Sequence, residues 1–424
     1  MHSLNAEELK NLNSDNKKIV LFGAGMIGKL IYYHLKNLNI KVDYFFDSDL
    51  RISEKKIQDC VIKSPEHLKL LDSNTAIILT NSYFEDIFPM LKEKKFFNIF
   101  SCDQIFKDID FDQAYNDNIF DDERDIYPKE KIIRHTNYYT DMYRKENYLK
   151  NNFLYIKSID IQVTEKCSAS CDNCSNLMHL YSNAKDSEIE NIISSIDRFM
   201  KVVDQVDEFR VIGGDPFMNK QMHKVVNKLC LIDKAKKVVV YTNAKIIPKN
   251  ENLKCLKNSK VVVDVSNYAN EASKNHEKII ELFSAENINF TTNKITKWQD
   301  CGRILPKTNK NHTELNKLFI NCCNSELISL LHGKVYRCPF SANATNLNLI
   351  PDDTSDYVNL LDENSTDKNL RDTIFKLMHE KNYLTACSFC NGRDYSTKWI
   401  KAAVQLERKP KTKVIINAET AVAK

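Results

Sequence analysis

The sequence predicts an α/β protein: a small parallel-sheet unit, then a larger one, then a cysteine-rich C-terminal region. Three observations carry this expectation. Apolar runs of strand length alternate with stretches of helical period, the pattern of strand–helix units feeding a parallel sheet. Only 8 glycines occur in 424 residues, where an average protein has about 7 per cent, and five of them fall in "GAGMIG" and the "GG" of "VIGGDP", each just past such a strand. Many of the 13 cysteines gather at motif-like spacings, above all in "TEKCSASCDNCSN" and in the last quarter of the chain.

Bulk properties exclude several classes. A chain of this length suits two or three domains. With 61 basic and 57 acidic residues and a formal net charge of +4, it gives no reason to expect nucleic acid or an acidic membrane as partner. The N-terminal "MHSLNAEELKNLNSDNKK" lacks the basic-then-apolar build of a secretory signal, and no apolar run reaches the roughly 18 residues of a membrane span. The expected location is the cytoplasm. There, thiols serve as metal ligands or buried small side chains rather than as disulfides.

The first unit begins with "KKIVLF", a continuous apolar run of the kind that fills a strand buried on both faces. Ile27, Leu30, Ile31, Leu35 and Leu38 follow at helical spacing, and "KVDYFFD" is a second strand ending in an acid. Gly23, Gly25 and Gly28 form G-x-G-x-x-G between strand and helix, a pattern that permits a tight turn and close backbone approach to a phosphate at a helix N-terminus. Asp47, 19 residues past Gly28, stands where a carboxylate accepts from ribose hydroxyls. Further strands are expected at "AIILT" and "FFNIF". Residues 1–105 resemble the Rossmann-like domains attached to bacterial polysaccharide-biosynthesis proteins, and that resemblance implies a sugar nucleotide as ligand. Four or five strands make only half of a dinucleotide fold, and a purely structural or docking domain is the alternative. Residues 106–152 are polar and acidic without clear period and are expected to be a linker.

Cys167, Cys171 and Cys174 follow the strand "SIDIQV". A structural zinc needs four ligands, the fourth of which His179 could supply. A four-iron cluster is normally held by four thiolates, so three leave one iron with an open position. C-x3-C-x2-C on the loop after a first barrel strand resembles the signature of the radical S-adenosylmethionine superfamily, and the resemblance implies that the amino and carboxylate groups of S-adenosylmethionine fill that position. This chain departs from the pattern at Asn173, where an aromatic residue near the adenine is usual. A second match lies about forty residues on. In "DEFRVIGGDPF", Gly213, Gly214, Asp215 and Pro216 stand where the family's G-G-E-P motif holds the methionine amino group, with aspartate for glutamate. Strands expected at "KVVVYTNA", "KVVVDVSNY" and "INFTTNKITKW" continue the alternation. The family implies a partial (β/α)6 barrel over 153–315 with chemistry at the C-terminal strand ends; Asn243 and Ser266, each just past a strand, are then candidates for the cofactor's ribose or carboxylate.

The last quarter carries "NCCNSELISLLHGKVYRCPF" and "CSFCNG". Cys322 or Cys323, then Cys338, Cys387 and Cys390, can supply four thiolates, Cys322 being preferred of the adjacent pair. With Gly333 in a hairpin-like "LLHGKVYRC", residues 316–405 resemble the one-cluster auxiliary domains called twitch or SPASM, and 406–424 a loose tail. A zinc ribbon is the alternative. Cys60, Cys102, Cys230, Cys255 and Cys301 are expected to be plain buried side chains.

The resemblance implies two 4Fe-4S clusters, S-adenosylmethionine cleaved reductively to a 5′-deoxyadenosyl radical, hydrogen abstraction from an unactivated carbon, and a flavodoxin- or ferredoxin-type electron donor. The sequence also resembles radical S-adenosylmethionine proteins encoded with bacterial capsule or lipopolysaccharide genes. A sugar or sugar-nucleotide substrate is therefore expected; a peptide or protein side chain is the alternative, and a non-catalytic metal-stabilised nucleotide-binding scaffold a third.

Overall fold

The computed structural model describes residues 2–4, 6–14, 17–81, 84–119, 132–133, 136, 139–140, 153–304, 309–393 and 397–407. The chain divides into two compact units, Met1–Asn151 and Asn152–Lys424. Most of the expected tail, 408–424, lies outside the described residues.

In the first unit β1 (His2–Ser3), β2 (Ile19–Phe22), β3 (Tyr44–Phe46), β4 (Lys56–Ile57), β5 (Cys60–Lys63), β6 (Ala76–Leu79) and β7 (Ile99–Ser101) make one sheet in the order β1-β7-β6-β2-β3-β5-β4. All pairs are parallel except β4 with β5. The period-2 alternation of a strand sends Val20 and Phe22 into one core with Phe46, Ile77 and Leu79, and Leu21 into another with Phe45 and Ile78. Helix α2 (Met26–Asn37) covers the second face with Ile27, Leu30, Ile31 and Leu35. On the first face Ile87 and Leu91 of α3 (Phe84–Glu93) pack. Two covered faces explain why β2 and β6 are apolar at every position. The chain winds outward through β3 and β5, then returns to the other side of β2 at β6, so strand order reverses between β2 and β6.

The segment expected as a linker contributes to this core. Asp110 caps the short helix α4 (Phe111–Asn116), its side chain accepting from Gln113 N–H, and Ile109, Ala114, Ile132 and Tyr139 are buried with the α2 face. Polar composition hid these scattered apolar anchors. The two-residue strands β1 and β4 are too short to show a period in sequence.

The second unit is built on an eight-stranded sheet in the order β12-β11-β10-β9-β8-β14-β15-β16. Strands β8 (Tyr155–Gln162), β9 (Gln205–Ile212), β10 (Ala235–Thr242), β11 (Val261–Asn267) and β12 (Phe290–Lys294) lie parallel in chain order. The sixth parallel strand, β14 (Leu327–Leu331), does not follow β12; it pairs with β8 at the opposite side. It opens a hairpin to β15 (Lys334–Tyr336), and β16 (Tyr357–Asn359) pairs with that. His332 and Gly333 turn the hairpin with φ of 47° and 79°, the region where glycine carries no Cβ penalty. Thus the expected cysteine-rich region and the expected barrel share one sheet. Strand β13 (Lys297–Gln299) pairs instead with β17 (Trp399–Lys401).

One face of this sheet packs against helices. Ile159, Ile161, Phe209, Val211, Val238, Val240 and Val263 meet Ile192, Ile196 and Phe199 of α5 (Ile189–Val202), Val225 and Val226 of α6 (Met222–Cys230), and Ile279 and Phe283 of α8 (His276–Ala285). The short α7 (Asn250–Lys254) lies between α6 and α8 in the chain. Each fully buried aliphatic or Phe side chain contributes about 1.5–3 kcal/mol. The alternate residues, Ser158, Asp160, Arg210 and Tyr241 among them, turn to the other face and line a cavity. Period 2 thereby gives β8 and β9 an apolar side against the helices and a more polar side toward the cavity.

Candidate functional site

Cys167, Cys171 and Cys174 occupy the loop leaving β8. Its first residues run beside the end of β9: Val163 N–H donates to Ile212 (2.9 Å), Gly214 N–H to Thr164 (3.0 Å) and Asp215 N–H to Lys166 (2.9 Å). That closeness explains the glycine pair. A Cβ on Gly213 would stand 2.5 Å from the Thr164 carbonyl oxygen; one on Gly214 would stand 2.2 Å from the Lys166 carbonyl oxygen and 2.6 Å from Cys167 Cβ.

Asp215 is fully buried. Its Oδ1 accepts from Phe217 N–H (3.0 Å), and Oδ2 from the Thr242 hydroxyl (2.9 Å) and Asn243 N–H (3.1 Å). The carboxylate therefore ties the β9 loop to the β10 loop. Burial pushes it up to about 6 against these three donors. Pro216 opens the single turn that follows. Asn243 turns its side chain to the cysteine loop, donating to Cys167 Sγ at 3.7 Å and Ser168 Oγ at 3.3 Å. Ser266, at the end of β11, lines the same cavity beside Tyr268, whose ring meets Trp298 edge-on at 5.5 Å. Asn173 is exposed with φ of 56°, a left-handed position that suits asparagine.

The loop is braced from two sides that its own sequence does not reveal. Glu165, 3% exposed, accepts from His332 at the tip of the β14–β15 hairpin and from Asn346 near the end of α10 (Pro339–Asn346), each at 3.1 Å. On the other side the segment after β17 pairs with the loop. Cys171 and Gln405 form an antiparallel bridge, Asp172 N–H donates to Val404, and Leu406 N–H to Ser170, both at 2.7 Å. Ala403 packs with Ala169, Cys167 and Cys171.

Every one of the 13 cysteines is a free thiol. Burial pushes the Cys167 thiol up strongly and Cys171 up to about 11, so cationic iron is what would hold them as thiolates. N–H donors from Asn243 and Gln405 aimed at sulfur suit that charge. Among the described residues no three His, Cys, Asp or Glu side chains are grouped to hold a single metal ion; a four-iron cluster takes each thiolate on a separate iron and makes no such demand. The residues at this loop fit such a cluster.

In the C-terminal region Cys338 caps α10, Cys387 and Cys390 bound a short turn before Gly392, and all three pack in one apolar cluster. Leu384 N–H points at Cys387 Sγ (3.5 Å) and Gly392 N–H at Cys390 Sγ (3.3 Å). Cys322 and Cys323 follow α9 (His312–Ile320). The Cys323 thiol is held down, first by a hydrogen bond from Cys322 and then, against burial, by the Arg393, Arg303 and Lys157 charges. Cys301, expected to be a plain buried side chain, packs against this same cluster. The half-buried Arg303 lies near Cys390, Cys301 and Cys338, stacks over Phe340 and donates to the Ser175 carbonyl at 2.5 Å. Arg303 and Arg393, both half-buried, bring positive charge to these thiols.

A cavity of about 440 Å³ is lined at one end by the three cysteines, Gly213, Gly214, Asn243 and Ser266, and at the other by Cys323 and Arg393. Its floor is ionic. Arg210 and Asp160 stand 3.1 Å apart, Arg210 lies 4.7 Å over the Tyr241 ring, and Lys157 pairs with Glu326 at 3.2 Å. Beyond Cys167 and Ser168 a second, more open depression carries Lys245, Lys249 and Lys274.

In the first unit, Gly23 ends β2 with φ of 123°, and Gly28 packs so tightly on it that a Cβ would reach the Gly23 carbonyl oxygen at 2.0 Å. Gly25 has nothing within 4 Å of a Cβ position and stands at the N-terminus of α2. Asp47 is already engaged: Oδ2 accepts from Ala24 N–H (2.8 Å) and Oδ1 from Asp49 N–H (2.9 Å).

Residues 160–288 match the family model described as a 4Fe-4S single cluster domain. No curated protein matches the sequence. Among solved structures, the chain is similar to native anSMEcpe with bound AdoMet and Cp18Cys peptide (15% identity, TM-score 0.34, covering 44% of this chain and 74% of that one). It is also similar to BtrN in complex with AdoMet and 2-DOIA (16%, 0.35, 56% and 93%) and to Streptococcus suis SuiB (13%, 0.29, 49% and 45%). Scores this low carry no argument about function. The family match spans all three cysteines of the β8 loop and bears out the expectation of an iron–sulfur cluster in this part of the chain. Among the described residues no helix is long and apolar enough to cross a membrane.

Proposed function

We propose that Cys167, Cys171 and Cys174 hold a 4Fe-4S cluster whose fourth iron takes S-adenosylmethionine, and that the enzyme acts on a sugar or sugar nucleotide in surface-polysaccharide biosynthesis. When bound, that pair supplies a 5′-deoxyadenosyl radical able to take hydrogen from an unactivated carbon. The observation that carries the reading is the single cavity joining the three-cysteine loop to Cys323 and Arg393 across an ionic floor. Asn243 and Ser266 line its cofactor end, and Gly213, Gly214 and Asp215 hold the β9 and β10 loops at the spacing the cysteine loop needs. Asp160, Arg210, Lys157 and Glu326 offer donors and acceptors to a hydroxyl-rich substrate, and Tyr268 and Trp298 offer an apolar wall that keeps water from the reacting carbon. Cys322, Cys338, Cys387 and Cys390 are the proposed ligands of a second cluster, with Arg303 and Arg393 offsetting its charge. Lys245, Lys249 and Lys274, in the depression behind Cys167, suit an acidic flavodoxin- or ferredoxin-type donor.

In the first unit the strand order reverses between β2 and β6, the place where open α/β sheets bind ligands. Gly25 leaves room there for a phosphate at the start of α2, and Asp47, while shaping the turn, keeps lone pairs for a ribose hydroxyl. This supports a sugar nucleotide over a peptide as the substrate.

The test is anaerobic reconstitution followed by incubation with reductant and S-adenosylmethionine. Two four-iron clusters and release of 5′-deoxyadenosine are expected, with one cluster remaining in the variant carrying Cys167→Ala, Cys171→Ala and Cys174→Ala. Stoichiometric zinc with little iron would overturn the reading.

A further inference from the structure

The segment after β17 reaches the cysteine loop through one side chain with a donor aimed at sulfur. Gln405 Nε2 stands 3.1 Å from Cys171 Sγ and also donates to the Ala403 carbonyl at 2.9 Å, while Oε1 accepts from Ser170 N–H at 3.1 Å. Backbone pairing at Asp172 and Leu406 and the Cys171–Gln405 bridge fix both partners. The amide is thus locked with N toward sulfur and O toward a backbone donor, since a flip would point two donors at each other.

We propose that Gln405 sets the reduction potential of the cluster held by Cys167, Cys171 and Cys174. Reduction adds an electron that the ligand sulfurs share, so a hydrogen bond to one sulfur stabilises the reduced state more than the oxidised one and raises the potential. Gln405 is a positioning residue: it touches a ligand and not the substrate. The inference rests on the cluster assignment made above.

The experiment is an anaerobic redox titration of reconstituted enzyme, without S-adenosylmethionine, followed by electron paramagnetic resonance of the reduced cluster. Gln405→Met keeps the length of the side chain and removes the donor; Gln405→Glu keeps the acceptor for Ser170 N–H and places an anion against the sulfur. Met is expected to lower the equilibrium constant for one-electron reduction about tenfold, a shift of about 59 mV to lower potential, with iron content unchanged. Glu is expected to lower it further. An equilibrium constant for reduction within twofold of wild type in both variants, about 18 mV, at full iron occupancy, overturns the proposal. So does loss of this cluster from both, because Gln405 would then be a brace for the loop and not a tuner. A wild-type protein that takes up no iron instead fails the cluster assignment itself.

Discussion

Replacing Asp215 with alanine separates two roles for the same carboxylate. If it holds the cofactor's amino group, the variant keeps its fold and loses S-adenosylmethionine affinity. Its hydrogen bonds point elsewhere: all three donors that reach it, Phe217 N–H, the Thr242 hydroxyl and Asn243 N–H, belong to the protein. In the alanine variant the Thr242 hydroxyl can rotate toward another acceptor, but the two backbone N–H groups cannot. Each buried unmet donor costs roughly 1–3 kcal/mol, giving about 2–6 kcal/mol for the pair. Removing a carboxylate that burial pushes from 3.8 to about 6 returns about 3 kcal/mol of desolvation at most. Subtracting that return in full leaves a net loss of up to about 3 kcal/mol, smaller in Asp215→Asn, which can still accept through one oxygen. Guanidinium denaturation of the cluster-free protein measures it, and cofactor titration of reconstituted protein, normalised to iron, measures the rest. An alanine variant of wild-type stability and iron content whose cofactor affinity falls tenfold or more would refute this reasoning and return Asp215 to the cofactor.

Gly214→Ala should cost most of the iron at the Cys167 loop, because the added Cβ meets backbone of Lys166 at 2.2–2.4 Å and must displace Cys167; iron analysis at full retention would contradict the packing described. Gly25→Val should leave the denaturation midpoint unchanged, since open space surrounds the Cβ position and φ is −79°, yet weaken sugar-nucleotide binding in calorimetry. If wild-type protein binds no sugar nucleotide, the first unit is structural and the peptide substrate gains ground. Asp160, pushed by burial from 3.8 to about 6 against the Arg210 charge, holds its proton more tightly folded than unfolded. Its contribution to stability is therefore full below pH 4 and lost as pH rises to 6. Asp160→Asn should flatten stability across that window, and an unchanged slope would show that Asp160 does not titrate there.

The residues legible from sequence were those whose neighbours in space are neighbours in the chain. Three cysteines within eight positions and paired glycines after a strand announce themselves, as do the apolar runs of β2, β6, β10 and β11. What escaped depends on long-range pairing. Gln405 sits in no motif, and its partner lies 234 positions earlier. Strand β14 gave no sign that it would join β8 rather than follow β12, because both edges of a parallel sheet accept an apolar strand equally well. Asp215 was legible as a site residue, but not the direction its oxygens face, which only the Thr242 and Asn243 donors decide. Cys301 looked isolated until α9 and the Cys387–Cys390 turn closed around it.

The antiparallel pairing of residues 404–406 with 170–172 has a consequence for biosynthesis. At translation speeds of about 5–20 residues per second, the 234 residues between Cys171 and Gln405 take about 12–47 s to emerge. Throughout that interval the three thiols lie on a loop without its last wall, and β8 waits for β14. Nascent chains thus present these cysteines to oxidants and to iron delivery alike until residues 404–406 have emerged and paired with their loop.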